Sequence, residues 1–91
     1  MGNAEEFVIA NGILTSYHGR GGAVVIPDGV KVIDHNAFRD CTSLTSVSIP
    51  ESVTGIGDDA FSGCTGLIIY APAGSCGEAY AKKKGIPHRT V

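Results

Sequence analysis

The feature that most constrains this chain is self-similarity: shifted until Val24 falls on Val47, the sequence lies on top of itself. Residues 24–44 (VVIPDGVKVIDHNAFRDCTSL) then cover residues 47–67 (VSIPESVTGIGDDAFSGCTGL) with ten of 21 positions identical. A fixed period this short marks units that stack, because one such unit is too small to bury its own apolar face. The identities pair Val24 with Val47, Ile26 with Ile49, Pro27 with Pro50, Val30 with Val53, Ile33 with Ile56, Ala37 with Ala60, Phe38 with Phe61, Cys41 with Cys64, Thr42 with Thr65 and Leu44 with Leu67. Nearly all are apolar or turn residues. Positions that differ, such as Lys31 against Thr54 or Arg39 against Ser62, are polar or small and read as solvent-facing. The repeat keeps its inside and varies its outside.

Within each copy, Val24-x-Ile26 and Val47-x-Ile49 alternate like short half-buried strands, and the following proline ends the ladder by removing a donor. A turn is expected next. Asp34 to Arg39, or Gly57 to Ser62, then carries Ala-Phe in a segment long enough for about one helical turn. Stacked coils of this kind set their strands parallel at about 4.8 Å and line Ile, Val, Phe, Leu and Cys into interior ladders.

Both ends of the stack need covering. Phe7 to Ala10 and Ile13 to Tyr17 flank Asn11-Gly12, a strong hairpin signal, since both turn residues tolerate positive φ. At the other end Leu67 to Pro72 (LIIYAP) echoes the strand of a third coil one residue short, with Ile69 and Ala71 inward. Ser75-Cys76-Gly77-Glu78 then has the form of a capping box opening a helix through Lys84 that Gly85 ends. Lys82, Lys83 and Lys84 suit its C-terminal dipole. The expected organisation is one α/β domain over 1–91: a hairpin cap (1–23), coil 1 (24–46), coil 2 (47–69), and a partial coil with cap helix (70–91).

Composition narrows the function. Apolar residues make up 43% and charged residues 18%, a globular balance rather than a disordered one. Nine acidic and seven basic residues leave a net charge of -2, without the positive excess that neutralises phosphates, so nucleic acid is excluded as a partner. No stretch approaches the roughly 18 apolar residues of a membrane span, and Met1 to Glu6 are unlike the basic start of a secretory signal, so no membrane insertion is expected. The three cysteines, Cys41, Cys64 and Cys76, are too few and too odd in number for a disulfide framework.

With these residues in place, the chain resembles the BspA-like leucine-rich repeats of surface and secreted proteins of anaerobic bacteria. The repeat there resembles IPxxVxxIxxxAFxxCxxL, which this sequence carries twice, at 26–44 and at 49–67. FVIANGILTSYHGRGGAVVIP and IYAPAGSCGEAYAKKKGIP are similar to that family's opening and closing segments. Asp34, where the second copy has Gly57, and Cys76, in place of an expected aromatic, depart from the pattern. The resemblance implies a leucine-rich-repeat solenoid, a right-handed superhelix of strand and helix, and members acting in adhesion or host-protein binding at the cell surface or outside the cell. It carries over no catalytic residue.

Several residues suggest chemistry. Stacking would bring the α-carbons of Cys41 and Cys64 to about 5 Å, within disulfide range, but a thiol ladder packed as small hydrophobes is the simpler reading. A zinc site would need two further ligands, and no CxxC or HxxxH spacing places His35 as one. Cys76, on the first turn of the cap helix, could have its thiol pKa lowered by the dipole, or could simply pack there. Gly19-Arg20-Gly21-Gly22 leads into a strand without the Lys-Ser/Thr of a phosphate loop and reads as a turn. His18, His35 and His88 are scattered, and no GxSxG elbow supports a triad. Asp58-Asp59 before a short helix reads as capping and solvated charge. No enzyme, cofactor or metal is expected.

A binding face falls on strand residues pointing away from the core: Val25, Ser48 and Tyr70, flanked by Ala23, Ser46 and Ile68. Tyr70 leads, because tyrosine offers a large amphipathic contact surface. The expected function is a protein-interaction module of a bacterial surface or secreted protein, monomeric or weakly self-associating. The alternative is a spacer or capping unit of a longer array with no ligand of its own.

Overall fold

The computed structural model describes residues 7–19 and 21–91. The readings placed on Met1 to Glu6 and on Arg20 lie outside the described residues. The chain forms β1 (Phe7–Ala10), β2 (Ile13–Tyr17), β3 (Gly22–Val25), β4 (Val32–Ile33), β5 (Leu44–Ser48), β6 (Gly55–Ile56), β7 (Ile68–Ala71), α1 (Cys76–Lys84) and β8 (His88–Thr90). Two four-stranded sheets result. One, the hairpin sheet, runs β1-β2-β4-β6, and the other, the parallel sheet, runs β3-β5-β7-β8. Among the described strands only β1 and β2 pair antiparallel; the other pairings are parallel.

The register of both sheets is the register of the repeat. Val24 faces Val47 across β3 and β5, and Ile33 faces Ile56 across β4 and β6, each residue meeting its own counterpart in the other copy. Val47 then faces Ile69, a step one residue shorter, as the truncated third echo requires. Val24, Ile26, Val47, Ile49, Ile69 and Ala71 are buried, joined by Val30, Ile33, Phe38, Leu44, Val53, Phe61 and Leu67 in one apolar core that holds no buried polar or charged residue among those described. The Ile26 and Ile49 N–H groups still donate to Ser48 and Tyr70 carbonyls (3.0 and 2.9 Å) before Pro27 and Pro50, lacking a donor, end each ladder.

Two features of the repeat differ from the expectation. After the expected turn behind each proline, closed by Val30 N–H to Pro27 O and Val53 N–H to Pro50 O, the chain adds a second short strand, Val32–Ile33 and Gly55–Ile56, which builds the hairpin sheet. Two residues are too few to display an alternation, so the pattern does not reveal them. The Ala-Phe segments, expected as one helical turn, are successive four-residue turns instead. Ala37 donates to Asp34 and Cys41 to Phe38, as Ala60 does to Gly57 and Cys64 to Phe61. An α-helix would use its N–H groups within the segment. Here the next layer takes them: Tyr17 N–H reaches Ala37 O (3.0 Å), Phe38 N–H reaches Ala60 O (2.8 Å) and Asp40 N–H reaches Ser62 O (2.7 Å).

The same stacking aligns aromatic rings. Phe7, Tyr17, Phe38, Phe61 and Tyr80 form one column, with successive centroids 5.4, 5.0, 4.9 and 5.8 Å apart. These spacings suit offset-stacked and edge contacts, each contributing about 0.5–1.5 kcal/mol beyond area burial. Two members carry a hydroxyl, and backbone satisfies both: Tyr17 Oη accepts from Gly21 N–H (3.0 Å), and Tyr80 O–H donates to the Asp58 carbonyl (2.9 Å). A bulge makes Tyr17 fit. The β1–β2 register slips between Val8 and Ile9, so that Leu14 and Tyr17, three residues apart, both turn inward.

The ends are built as local chemistry directs. Asn11 and Gly12 adopt φ of 53° and 79°, the pair of positive values that a two-residue hairpin turn needs. At α1, Ser75 Oγ accepts from Glu78 N–H (3.3 Å), while the Glu78 carboxylate accepts from Gly74 N–H (2.9 Å) rather than from Ser75, a capping box displaced by one residue. Gly85, at φ 70°, closes the helix, with Gly85 and Ile86 N–H bonded to Lys82 and Ala81 carbonyls. Unexpectedly, the chain then adds β8 to the parallel sheet beside β7.

Close layering also explains why Gly57 stands where the first copy has Asp34. A Cβ at Gly57 would lie 2.3 Å from His35 Cα, a backbone contact that cannot give way. Gly57→Ala is therefore expected to destabilise the fold by about 2 kcal/mol or more, whereas Gly66→Ala, with open space around its Cβ, changes stability by less than about 0.5 kcal/mol. Urea unfolding of the two variants checks the contrast.

Candidate functional site

The outward surface of the parallel sheet is fixed by strand alternation: if Val24, Val47 and Ile69 enter the core, their neighbours must face away. Pairing aligns these neighbours into rows. Ala23, Ser46 and Ile68 form one, and Val25, Ser48, Tyr70 and Arg89 the other. All five residues expected at the binding face, Val25, Ser46, Ser48, Ile68 and Tyr70, thus share one surface. Val25 is 60% exposed, while the other four are half-buried.

Tyr70 holds a special place. Of the six Phe and Tyr residues, five form the interior column, and Tyr70 alone stands on an outer face. Beside it lies a shallow groove of about 170 Å³ lined by Val25, Asp28, Ser48, Pro50, Tyr70 and Val91, among others. Prolines at the strand ends wall this groove with rigid apolar surface. Arg89, Val91 and Asp28 are members that sequence reasoning missed. His88-Arg89-Thr90 has no apolar alternation, and the only hint was that the chain continues past Gly85 and Pro87 in a direction able to return to the sheet.

The thiols are free and half-buried. Cys64 Sγ–H donates to the Phe38 carbonyl (3.1 Å), so it packs on the preceding layer as the ladder reading expects. Burial, outweighing the Cys41 N–H that favours the thiolate, pushes its pKa from the ordinary 9.0 up to about 11. Cys41 is raised too, by burial and then by the Asp40 charge. Burial raises the Cys76 thiol as well, in keeping with a side chain that packs on the first turn of α1.

The remaining candidates fall to solvated electrostatics. His35 Nδ1 lies 2.9 Å from Asp34 Oδ1 at the surface. Asp58 faces Lys83 and Lys84 at 3.7 and 3.8 Å, and Lys82 faces Glu78 at 4.0 Å. The Glu78 carboxyl is held below the usual carboxylate range, first by the Gly74 N–H. Among the described residues no group of three or more His, Cys, Asp or Glu converges as metal ligands do, and no helix is long and apolar enough to cross a membrane. Gly21 and Gly22, at φ 92° and 76°, turn the chain into β3 rather than opening a helix.

Short parallel strands recurring once per repeat, joined by turns and presenting one sheet face outward, define a leucine-rich-repeat protein of α/β class. More narrowly, the chain belongs to the BspA-type leucine-rich-repeat family: the model described as BspA type Leucine rich repeat region (6 copies) matches residues 20–76. No curated protein matches the chain, and no solved structure does.

The raised Cys64 pKa has a consequence for stability. Below about pH 9 the thiol is protonated in both folded and unfolded chains, and its contribution is fully present. As pH rises from about 9 to 11 the unfolded chain releases the proton first, so stability falls. Melting temperature is expected to be lost progressively over that window, and Cys64→Ala should flatten the decline while leaving the part due to Cys41, Cys76 and Tyr80. Thermal melts by circular dichroism across pH 8 to 11.5 provide the check.

Proposed function

We propose that this chain is a protein-interaction module that binds a segment of a partner protein across the outward face of its parallel sheet. The repeats would stack as a short leucine-rich-repeat solenoid, a right-handed superhelix forming a single domain. The observation that carries the reading is the placement of Tyr70, the one aromatic left out of the interior column, in the row with Val25, Ser48 and Arg89 beside the proline-walled groove. An amphipathic ring with its apolar body on the surface is what contact hot spots use.

The proposed setting is a bacterial surface or secreted protein, outside the cell, with adhesion or binding of a host protein as its role, a reading that membership of the BspA-type family supports. Catalysis is not part of the proposal. Thiols held protonated by burial are poor nucleophiles, and nothing in the site calls for a cofactor.

Tyr70→Ala is expected to weaken partner binding about 30-fold, equivalent to about 2 kcal/mol, and Ser48→Arg to abolish it by placing a long charged side chain across the row. Surface plasmon resonance on immobilised host matrix proteins, with folding monitored by circular dichroism, reads both effects. Equal binding by wild type and both variants would place the contact elsewhere. A chain that binds none of them is a spacer or capping unit.

A further inference from the structure

The two sheets flank one core but do not begin at the same level. β3 and β4 belong to the same repeat, yet the hairpin sheet continues two strands past β4, through β2 and β1, while the parallel sheet stops at β3. At about 4.8 Å per strand the hairpin overhangs β3 by about 10 Å, leaving a step. β3 pairs only with β5 among the described strands. Because Ile26 N–H points to β5, alternation turns the N–H and C=O groups of Val25 and Ala23 the other way, along an open edge. β3 is short and its register slips between Gly22 and Ala23, but it has no Lys, no inward charge and no proline inside the strand, so its edge from Ala23 to Val25 carries no side-chain block to pairing.

This end of the stack is also where apolar surface is left bare. Val8, Ile9 and Ile13 on the hairpin are 45, 40 and 37% exposed, and Val25 on β3 is 60% exposed; among the described residues Val91 is the one large apolar residue so exposed elsewhere. Residues 7–17 and 21–27 contain no charged side chain. The opposite end is the reverse, with Lys82, Lys83, Lys84 and Arg89 around α1 and β8.

From this step, edge and apolar patch we propose that the hairpin end is a self-association surface, on which a second copy of the chain docks about a two-fold axis. An axis parallel to the strands seats the overhanging hairpin of each copy in the step of the other, so that β1 of one lies along β3 of its partner, twice. Isologous pairing brings a patch against itself, which an uncharged patch permits and a lysine-rich end does not. Along β1, β2 and β3 themselves a partner selected by charge finds nothing to read, whereas shape and an open backbone edge suffice for a second copy. The contact takes Val25 at the end of the row but leaves Ser48, Tyr70 and Arg89 free, so Tyr70→Ala and the hairpin variants test the ligand face and the self-association separately.

The test is the mass of the full chain by size-exclusion chromatography with light scattering from about 10 μM to ~1 mM, a range suited to a small interface. Mass is expected to rise from 9.4 kDa to twice that value and stop. Ile9→Lys and Val8→Lys should each hold it at 9.4 kDa with an unchanged melting temperature, and Lys83→Glu at the far end should have no effect. Should the hairpin variants melt early, amide exchange of the unaltered chain decides instead: Ala23 and Val25 N–H should slow about tenfold between the two concentrations. A mass fixed at the monomer value, a mass that climbs past the dimer, a dimer untouched by both hairpin variants in folded form, or exchange independent of concentration would each overturn the proposal.

Discussion

Everything in this chain depends on one constraint: each layer must hand its backbone N–H groups to the layer beside it at the spacing of adjacent strands. That transfer is visible in the sheets, and equally in the loops, where Tyr17, Phe38 and Asp40 donate to Ala37, Ala60 and Ser62. Layers this close leave room only for side chains that stack on their own kind. Phe38 lies on Phe61 with centroids 4.9 Å apart, Val47 sits between Val24 and Ile69, and Cys64 reaches back to Phe38. Hence the repeat in sequence: identity at an interior position is the simplest way to give a ladder one size throughout.

The same constraint separates what could be read from the sequence from what could not. Ladder positions announced themselves, because Val24, Ile26, Phe38 and their partners must match from one copy to the next. Caps were legible for a different reason: Asn11-Gly12 and Ser75 to Glu78 act through local backbone chemistry that a short window contains. The second sheet was not legible. Val32 and Gly55 face each other in register yet share no side-chain character, since a two-residue strand is specified by the N–H groups of its neighbours rather than by its own residues. The Ala-Phe turns look like helix in sequence on the same account, since the bonds that keep them open run to another layer and leave no periodicity behind.

The candidate binding face divides along similar lines. Val25, Ser46, Ser48, Ile68 and Tyr70 were placed by alternation alone, because knowing which residues enter the core decides which leave it. Arg89, Val91 and Asp28 join that surface only through β8 and the turn after Pro27, where the chain returns across a gap in sequence that no local pattern spans. A strand recruited from a polar segment such as His88-Arg89-Thr90 owes its place to the edge of β7 waiting for a partner. The edge, more than the segment, made it a strand.

That observation bears on how surface and end differ as places for function. An outward side chain on the parallel sheet takes no part in the interior ladders, so Val25, Ser48 and Tyr70 can differ from one another without disturbing the packing beneath. The face is therefore free to carry specificity, one residue per layer. The ends have no such freedom. An end must satisfy or shield the last row of backbone groups, and α1 with β8 does so with capping bonds and charge, while the hairpin does so on only one of the two sheets. At the end covered on one side the backbone itself is available as a recognition element, with affinity that does not depend on which side chains happen to lie above it. A repeat protein of this size thus has two independent kinds of surface, one read through side chains and one read through main chain, and the offset between its sheets is what exposes the second.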